Sequence, residues 1–505
     1  MSALLDARTL AADSVLTPDL AVIGGGPAGI SLALALAGTK LDILLLESGG
    51  TNFDPAVQKL YGGDHRGDHY AELDAGRLRF LGGGTNHWGG WCRPLDESDF
   101  EKRDWVPHSG WPFTRAALAP YYPRAQLLVE AGPWSYDQAG RLARAQGPLL
   151  PLGDGGLYTS WFQFSKTRNG VLPTRFGALY EPDLKRAPNI KPLLNANVTA
   201  IRLTQNGQRV DRLEAATLNS RGGAGNRFIV KPRYVVMAAG GMENARLLLA
   251  SNDVMKSGVG NQNDLVGRFF GDNPIPRDVA TLVAFGGKLA PYYGNNRKMD
   301  NGAVMRAVFA PQAGFARAQK LLGSLTTVEQ PVELDETGTA AVITTAIALG
   351  VDASNARAYS LGCGMELTPD PDRRLTLTDE KDALGLRRLT LQMRIADHDF
   401  ALYRKTLVEL GRQLLASKAG MLRINCHRRE DWLRNMDWGH HHLGTTRMHQ
   451  DPKQGVVDAD CKVHGVGNLF VAGSAVFPTY GASNPTLNLI ALTLRLADHL
   501  KKVAA

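Results

Sequence analysis

DLAVIGGGPAGISLALALAGTKLDILLLE, residues 19 to 47, brings four signals into register. A short apolar run, Asp19–Ile23, meets three glycines, Gly24, Gly26 and Gly29. An Ala/Leu helix pattern continues to about Ala37, and a second apolar run, Leu41–Leu46, ends in Glu47. This reads strand, tight turn, helix, strand. Gly24 permits the turn, Gly26 lets backbone approach a pyrophosphate, and Gly29 lets the helix pack closely on the strand. The helix N-terminus offers free N–H groups and the positive end of its dipole to phosphate. Glu47 stands 18 residues beyond Gly29, where a carboxylate can accept from ribose hydroxyls. The unit predicts a dinucleotide site without choosing between FAD and NAD.

Farther along, YVVMAAGGMENARLLLAS (Tyr234–Ser251) repeats the logic: a buried strand, a glycine turn at Gly240–Gly241, and a helix to about Ala250. Asn195–Leu203 and Val210–Thr217 read as strands, and residues 49–90 as a loop-rich stretch with glycine clusters. Trp105 to Gln126 reads as a loop leading into a helix. Val342–Leu349, Arg374–Thr378 and Arg388–Arg394 have strand character and suggest an antiparallel sheet, whereas His398–Leu415 has helical spacing. The last seventy or so residues return to glycine-rich sequence. We therefore expect a discontinuous cofactor-binding domain (residues 17–98, 190–270 and 438–505) and a substrate-binding domain with insertions (99–189 and 271–437).

The 505 residues suffice for a large core, and 44% hydrophobic with 21% charged residues is ordinary globular composition. The net charge is +8, but no dense Lys/Arg run is interleaved with aromatics, so nucleic-acid binding is not expected. Cys92, Cys363, Cys426 and Cys461 form no CxxC or CxxCH pattern; no metal site, covalent haem or disulfide framework is expected. Met1 to Pro18 lacks a basic n-region, an apolar h-region and a twin-Arg pair, and the run Leu32–Ala37 is too short to span a bilayer. The expectation is a cytoplasmic protein with no membrane span, co-export with a signal-bearing partner being left open.

Two C-terminal stretches carry a family resemblance: HHHLGTTRM (His440–Met448) and DADCKVHGVGNLFVAGSAVFPTYGASNPTLNLIALTLRLADHL (Asp458–Leu500). FLGGGTNHWGGW (Phe80–Trp91), VGRFFGDNP (Val266–Pro274) and MELTPDPDRRLTLT (Met365–Thr378) support them. With the N-terminal glycine turn, the chain resembles the glucose–methanol–choline (GMC) oxidoreductases, most closely the branch of pyranose oxidases and bacterial sugar and polyol dehydrogenases. The resemblance implies an α/β fold. It consists of a Rossmann-like FAD-binding domain of the p-hydroxybenzoate-hydroxylase type, with an inserted α+β substrate domain built on an antiparallel sheet. Its catalytic H-x-x-G-T-x-R-M falls on His441, because Gly444, Thr445, Arg447 and Met448 fix the register, and its second catalytic position falls on Asn484 in YGASNPTL.

The implied FAD contacts begin with Gly24, Gly26, Pro27, Ala28, Gly29, Glu47 and Ser48. They continue through Gly83, Gly84, Thr85, Asn86, His87 and Trp88, then Val198, Ala239, Gly240 and Asn244. Gly473, Ser474, Pro485 and Thr486 complete them. Thr85-Asn86-His87-Trp88 resembles the segment through which pyranose oxidases attach FAD covalently. Related non-covalent flavoproteins carry similar sequences, so a bond through His87 and a histidine merely packed near a non-covalent flavin both stay open.

An alcohol is a poor hydride donor while its O–H is intact, so its oxidation needs a base within hydrogen-bond reach. Neutral imidazole suits that task near pH 7. His441 is the expected base, with Asn484 orienting the substrate oxygen; the plainer reading of Asn484 is the N-cap of the helix that Pro485 opens. The expected substrate is a sugar, glycoside or polyol, with O2 or another electron acceptor completing the cycle. Trp88, Trp91, Trp105 and Trp111 are either stacking platforms for sugar rings or core residues. Competing readings are oxidation of a non-sugar alcohol or secondary metabolite, a GMC-fold lyase without net redox, and an NAD-dependent reductase, which leaves the C-terminal motifs without a role. A homo-oligomer or an electron-transfer partner is also open.

Overall fold

The computed structural model describes residues 4–166 and 173–504; residues 167–172, within the expected 99–189 stretch, lie outside them. The glycine turn sits in a six-stranded sheet, all of whose pairings are parallel. Its order is Leu5–Asp6, Ile190–Leu194, Ile43–Leu46, Leu20–Ile23, Tyr234–Met237, Leu469–Val471. Leu20–Ile23 and Ile43–Leu46 are buried throughout. Strands covered on both faces need continuous apolar side chains, which explains why these runs do not alternate. The Leu469–Val471 strand pairs with Tyr234–Met237, Val235 facing Leu469, and so seats the C-terminal region beside the N-terminal turn.

The Pro27–Ala35 helix starts with Pro at its first turn. Ring-fixed φ favours that position, and the missing N–H costs no intrahelical bond there. The C-terminal helix, Pro485–Val503, begins the same way and packs its buried face on Pro27–Ala35. A four-stranded sheet (Val15–Leu16, Ala224–Val230, Val210–Leu218, Asn197–Leu203) flanks the parallel one.

The second large sheet is antiparallel. Its order is Gly420–Ile424, Ala280–Ala284, Arg357–Met365, Ser324–Val332, Val304–Pro311, Leu157–Phe164, Trp91–Cys92, with Arg297–Lys298 paired to Val304–Pro311. Arg374–Lys381 and Arg387–Met393 are strands, as their pattern predicts, but in a separate three-stranded sheet with Gly63–Gly67. Val342–Leu349 corrects the sequence reading: it is the second half of a helix, Glu336–Leu349. Its buried residues, Gly338, Val342 and Ala346, recur every four positions, and the Asp335 side chain caps it by accepting from the Gly338 N–H. All four cysteines are buried and free. Among the described residues no helix is long and apolar enough to cross a membrane.

Candidate active site

Gly24 adopts φ +111°, and a Cβ there would lie 2.6 Å from the Ala238 carbonyl oxygen. A Cβ on Gly29 would lie 1.9 Å from the Gly24 oxygen. Both glycines therefore hold strand and helix together. Gly26 is different: a Cβ there would meet nothing within 4 Å, because its Cα faces a cavity. Gly84 and Gly240 are equally open and line the same cavity. Backbone laid bare at three points along one cavity is what a large flat cofactor requires.

Glu47 is buried at the cavity edge; its Oε2 accepts from the Gly25 N–H at 2.8 Å and its Oε1 from the Gly49 N–H at 2.8 Å. Burial raises its carboxyl above the usual range, the two N–H groups pulling it back. Arg79, beside it, is buried, and its Nε and Nη1 make no hydrogen bond among the described residues. Arg77 and Arg79 lie over the Tyr61 ring and within 3.3 and 3.4 Å of Glu243. Burial alone would raise Glu243, but Arg246, Arg79 and Arg77 outweigh it and bring it down to about 2. An ionised carboxylate with unsatisfied guanidinium donors in a lined cleft fits an anionic, hydroxyl-rich ligand such as FAD.

Most of the residues implied by the family resemblance line this cavity: Pro27, Ala28, Ser48, Gly83, Thr85, His87, Trp88, Val198 and Ala239 do, and at the other end Gly473, Ser474, Pro485 and Thr486. Three do not. Gly29 supports the turn as described. The Asn86 amide donates to the Leu81 carbonyl, and Asn244 Oδ1 accepts from the Ala239 N–H, so both brace the walls. Arg77, Arg79, Tyr61 and Glu243 line the cavity without having been singled out in the sequence. Their pairings cross up to 166 positions, and no local spacing announces them.

The two expected catalytic side chains meet: Asn484 Nδ2 lies 3.1 Å from His441 Nε2. Asn484 occupies the N-cap position of Pro485–Val503 but makes no side-chain cap bond. His441 owes its place to a ladder that widens. Pro274 pairs with Trp438, and Gly271 bridges Leu443. Between these rungs, Gly439 through His442 face only Asp272 and Asn273, so the histidine strand bulges. His440 takes φ +55° at the crest, a conformation that costs a non-glycine residue.

Asp272 grips the bulge: its Oδ1 accepts from the His441 N–H at 2.8 Å and the Asn273 N–H at 2.7 Å, its Oδ2 from the Tyr70 hydroxyl at 2.6 Å. His440, His442 and Asp272 each place a polar atom within 4.8 Å of the others. With these donors the carboxylate clamps the bulge. Burial drives the Asp272 carboxyl up to about 7 against their pull. Burial, then His440, pushes His441 down to about 3, so its imidazole is neutral at ordinary pH.

His87 lines the cavity and is exposed there, with its pKa lowered by partial desolvation and by neighbouring His440 and Arg175. The tryptophans separate. Trp111 is buried and donates to the Thr479 carbonyl, and Trp105 donates to that of Leu321, so both belong to the framework. Trp88 and Trp91 line the cavity, Arg306 lying over the Trp91 ring at 5.3 Å.

Residues 369–493 match the family description GMC oxidoreductase. The chain is 26% identical to the 6'''-hydroxyparomomycin C oxidase of Streptomyces lividus, over 95% of this chain and 92% of that one. It is 29% identical to the fructose dehydrogenase large subunit of Gluconobacter japonicus over 53% of this chain, a match spanning 47% of that protein, about half its length. The fold is similar to that of pyridoxine 4-oxidase from Mesorbium loti, with a TM-score of 0.58, 20% identity, and coverage of 96% of this chain and 99% of the other.

Proposed function

We propose, from the premise that this chain is a GMC oxidoreductase, an FAD-dependent enzyme of CH–OH donors, that it oxidises one hydroxyl-bearing carbon of a sugar, glycoside or polyol to a carbonyl, with His441 as the base. The observation that carries this reading is the contact of His441 Nε2 with Asn484 Nδ2 at 3.1 Å, in the cavity that also holds the glycine turn.

When bound, FAD supplies the hydride acceptor. Gly26 and its helix N-terminus would hold the pyrophosphate, and Glu47 the ribose hydroxyls. Arg79 offers its unsatisfied donors nearby. His441 Nε2 accepts the hydroxyl proton as the C–H bond is broken, so that a carbonyl forms in place of a high-energy cation. Asn484 donates to the same oxygen and holds the carbon in line; misplacement by about 1 Å costs on the order of a hundredfold. Burial, with His440 beside it, keeps His441 unprotonated and ready. We read the flavin as non-covalent, with His87 packed beside it. The parallel sheet and its four-stranded neighbour form the cofactor domain in this reading, and the antiparallel sheet the substrate domain.

A sugar-like substrate draws support from the relatives named as a fructose dehydrogenase large subunit and a 6'''-hydroxyparomomycin C oxidase and from Trp88 and Trp91 at the cavity. The test is anaerobic flavin bleaching over a panel of sugars, glycosides and simple alcohols, with H441A alongside. The wild type should bleach with a carbohydrate, and H441A should stay yellow and fail to bleach. Normal bleaching of H441A would remove His441 from the role of base.

A further inference from the structure

Asn273 lies in VGRFFGDNP, 168 positions before His441, and the base reading does not use it. It is buried, and its side chain has every polar atom engaged. Nδ2 donates to the Met365 carbonyl at 2.8 Å and the Gly481 carbonyl at 3.0 Å. Two carbonyls can face only the amide NH2, which leaves Oδ1 as the atom turned to the histidine ring. His441 Nδ1 stands 2.9 Å from that oxygen. An amide oxygen only accepts, so Nδ1 carries the proton, and in a neutral ring Nε2 then carries the lone pair.

Resting on the reading of His441 as base, we propose that Asn273 is a positioning residue that fixes His441 in its Nδ1–H tautomer and so aims the basic Nε2 at the substrate hydroxyl. The wrong tautomer would present an N–H where a proton has to be accepted. Asp272 does the matching work on the main chain, accepting from the His441 N–H, and the Tyr70 hydroxyl holds Asp272 in turn. Adjacent residues therefore fix the backbone and the ring of one histidine. The Gly481 contact extends the frame to the turn three residues before Asn484, so both faces of the imidazole edge are referenced to the same amide. Asn484 Nδ2, a donor 3.1 Å from Nε2, calls for the same tautomer.

The primary measurement is the 15N spectrum of the protein labelled on histidine, the His441 ring being assigned by the signals that vanish in H441A. The wild type is expected to show a protonated Nδ1 and a bare Nε2; a protonated Nε2 overturns the proposal with no further variant needed. N273A should lose the pure tautomer and slow anaerobic flavin reduction by roughly a hundredfold at neutral pH, with the flavin still bound.

N273D sets an ionisable group against Nδ1 and should move the acid limb of the reduction rate up by about one pH unit or more, since a carboxylate favours the imidazolium. The other titratable groups about the ring are His440 and His442 on its own loop, Asp272 and Tyr70 opposite, and Arg77 and His87 beside His442; none of these is altered. An unchanged tautomer in N273A together with an unchanged profile in N273D would overturn the proposal. Normal bleaching by H441A would instead defeat the base reading and leave the tautomer result standing.

Discussion

In the proposed reading, the chemistry at His441 depends on a ring that is half-buried, neutral and held at both nitrogens. Because burial lowers its proton affinity, the free base persists as the pH falls below the ordinary histidine value of about 6.5. The rate of flavin reduction is therefore expected to be flat from about pH 6 to pH 8 as far as this residue is concerned, falling only in stronger acid. Stopped-flow reduction across that range checks it; a limb centred near 6.5 would mean a solvated imidazole. His441 was legible in the sequence because Gly444, Thr445, Arg447 and Met448 number it. Asn484 was legible as to place but ambiguous as to role, since asparagine before Pro-Thr is also an ordinary helix cap. Asp272 and Asn273 lie in VGRFFGDNP, where no local pattern assigns them a role. Nothing local distinguishes a buried Asp-Asn pair that clamps a distant histidine from one that closes a turn.

Among the elements, the glycine turn separates two kinds of glycine, and substitution should separate them as well. Gly26→Val meets no protein atom at Cβ and leaves an extended backbone any residue adopts. It should preserve the apoprotein's melting behaviour while filling the cofactor's path, yielding a folded, colourless protein. Gly24→Ala adds positive-φ strain and an overlap with the Ala238 carbonyl, costing roughly 2–4 kcal/mol in chemical denaturation. Equal colour in Gly26→Val and wild type would mean that the cofactor does not pass over this turn. The turn could be read from sequence because all of its parts lie within 29 residues. The Glu336–Leu349 helix could not be read from Val342–Leu349 alone. That window is rich in β-branched residues, which favour strands, and the cap at Asp335 and the four-residue burial spacing begin outside it.

For the molecule as a whole, buried polar groups tie the end of the Arg357–Met365 strand to segments distant in the chain. Arg103 and Glu366 form a bidentate pair at 2.9 and 2.9 Å, both buried, and Glu366 also accepts from the Gly323 and Tyr480 N–H groups. Burial alone would raise Glu366, but Arg103 outweighs it and holds the carboxyl below its ordinary range. R103M strands that charge and should lose about 3–5 kcal/mol of unfolding free energy. The double variant R103M/E366Q, with the charge gone, should lose less than R103M alone; a greater loss would show that the pair is not what Arg103 contributes. Such pairings span hundreds of positions, and no local pattern announces them; the parallel sheet could be read from its own strands, whereas none of the segments expected for the antiparallel sheet lies in the eight-stranded one.

The order in which a ribosome makes the chain gives the outer strand Leu469–Val471 a further meaning. Until it emerges, Tyr234–Met237 ends the sheet with an open edge, and the wall made by Gly473, Asn484 and Pro485 does not exist. A nascent chain can complete its glycine turn early yet has nothing to close over it. Flavin capture therefore belongs to the last stage of maturation, and a transcript interrupted before residue 469 yields a colourless product with an unpaired, aggregation-prone edge.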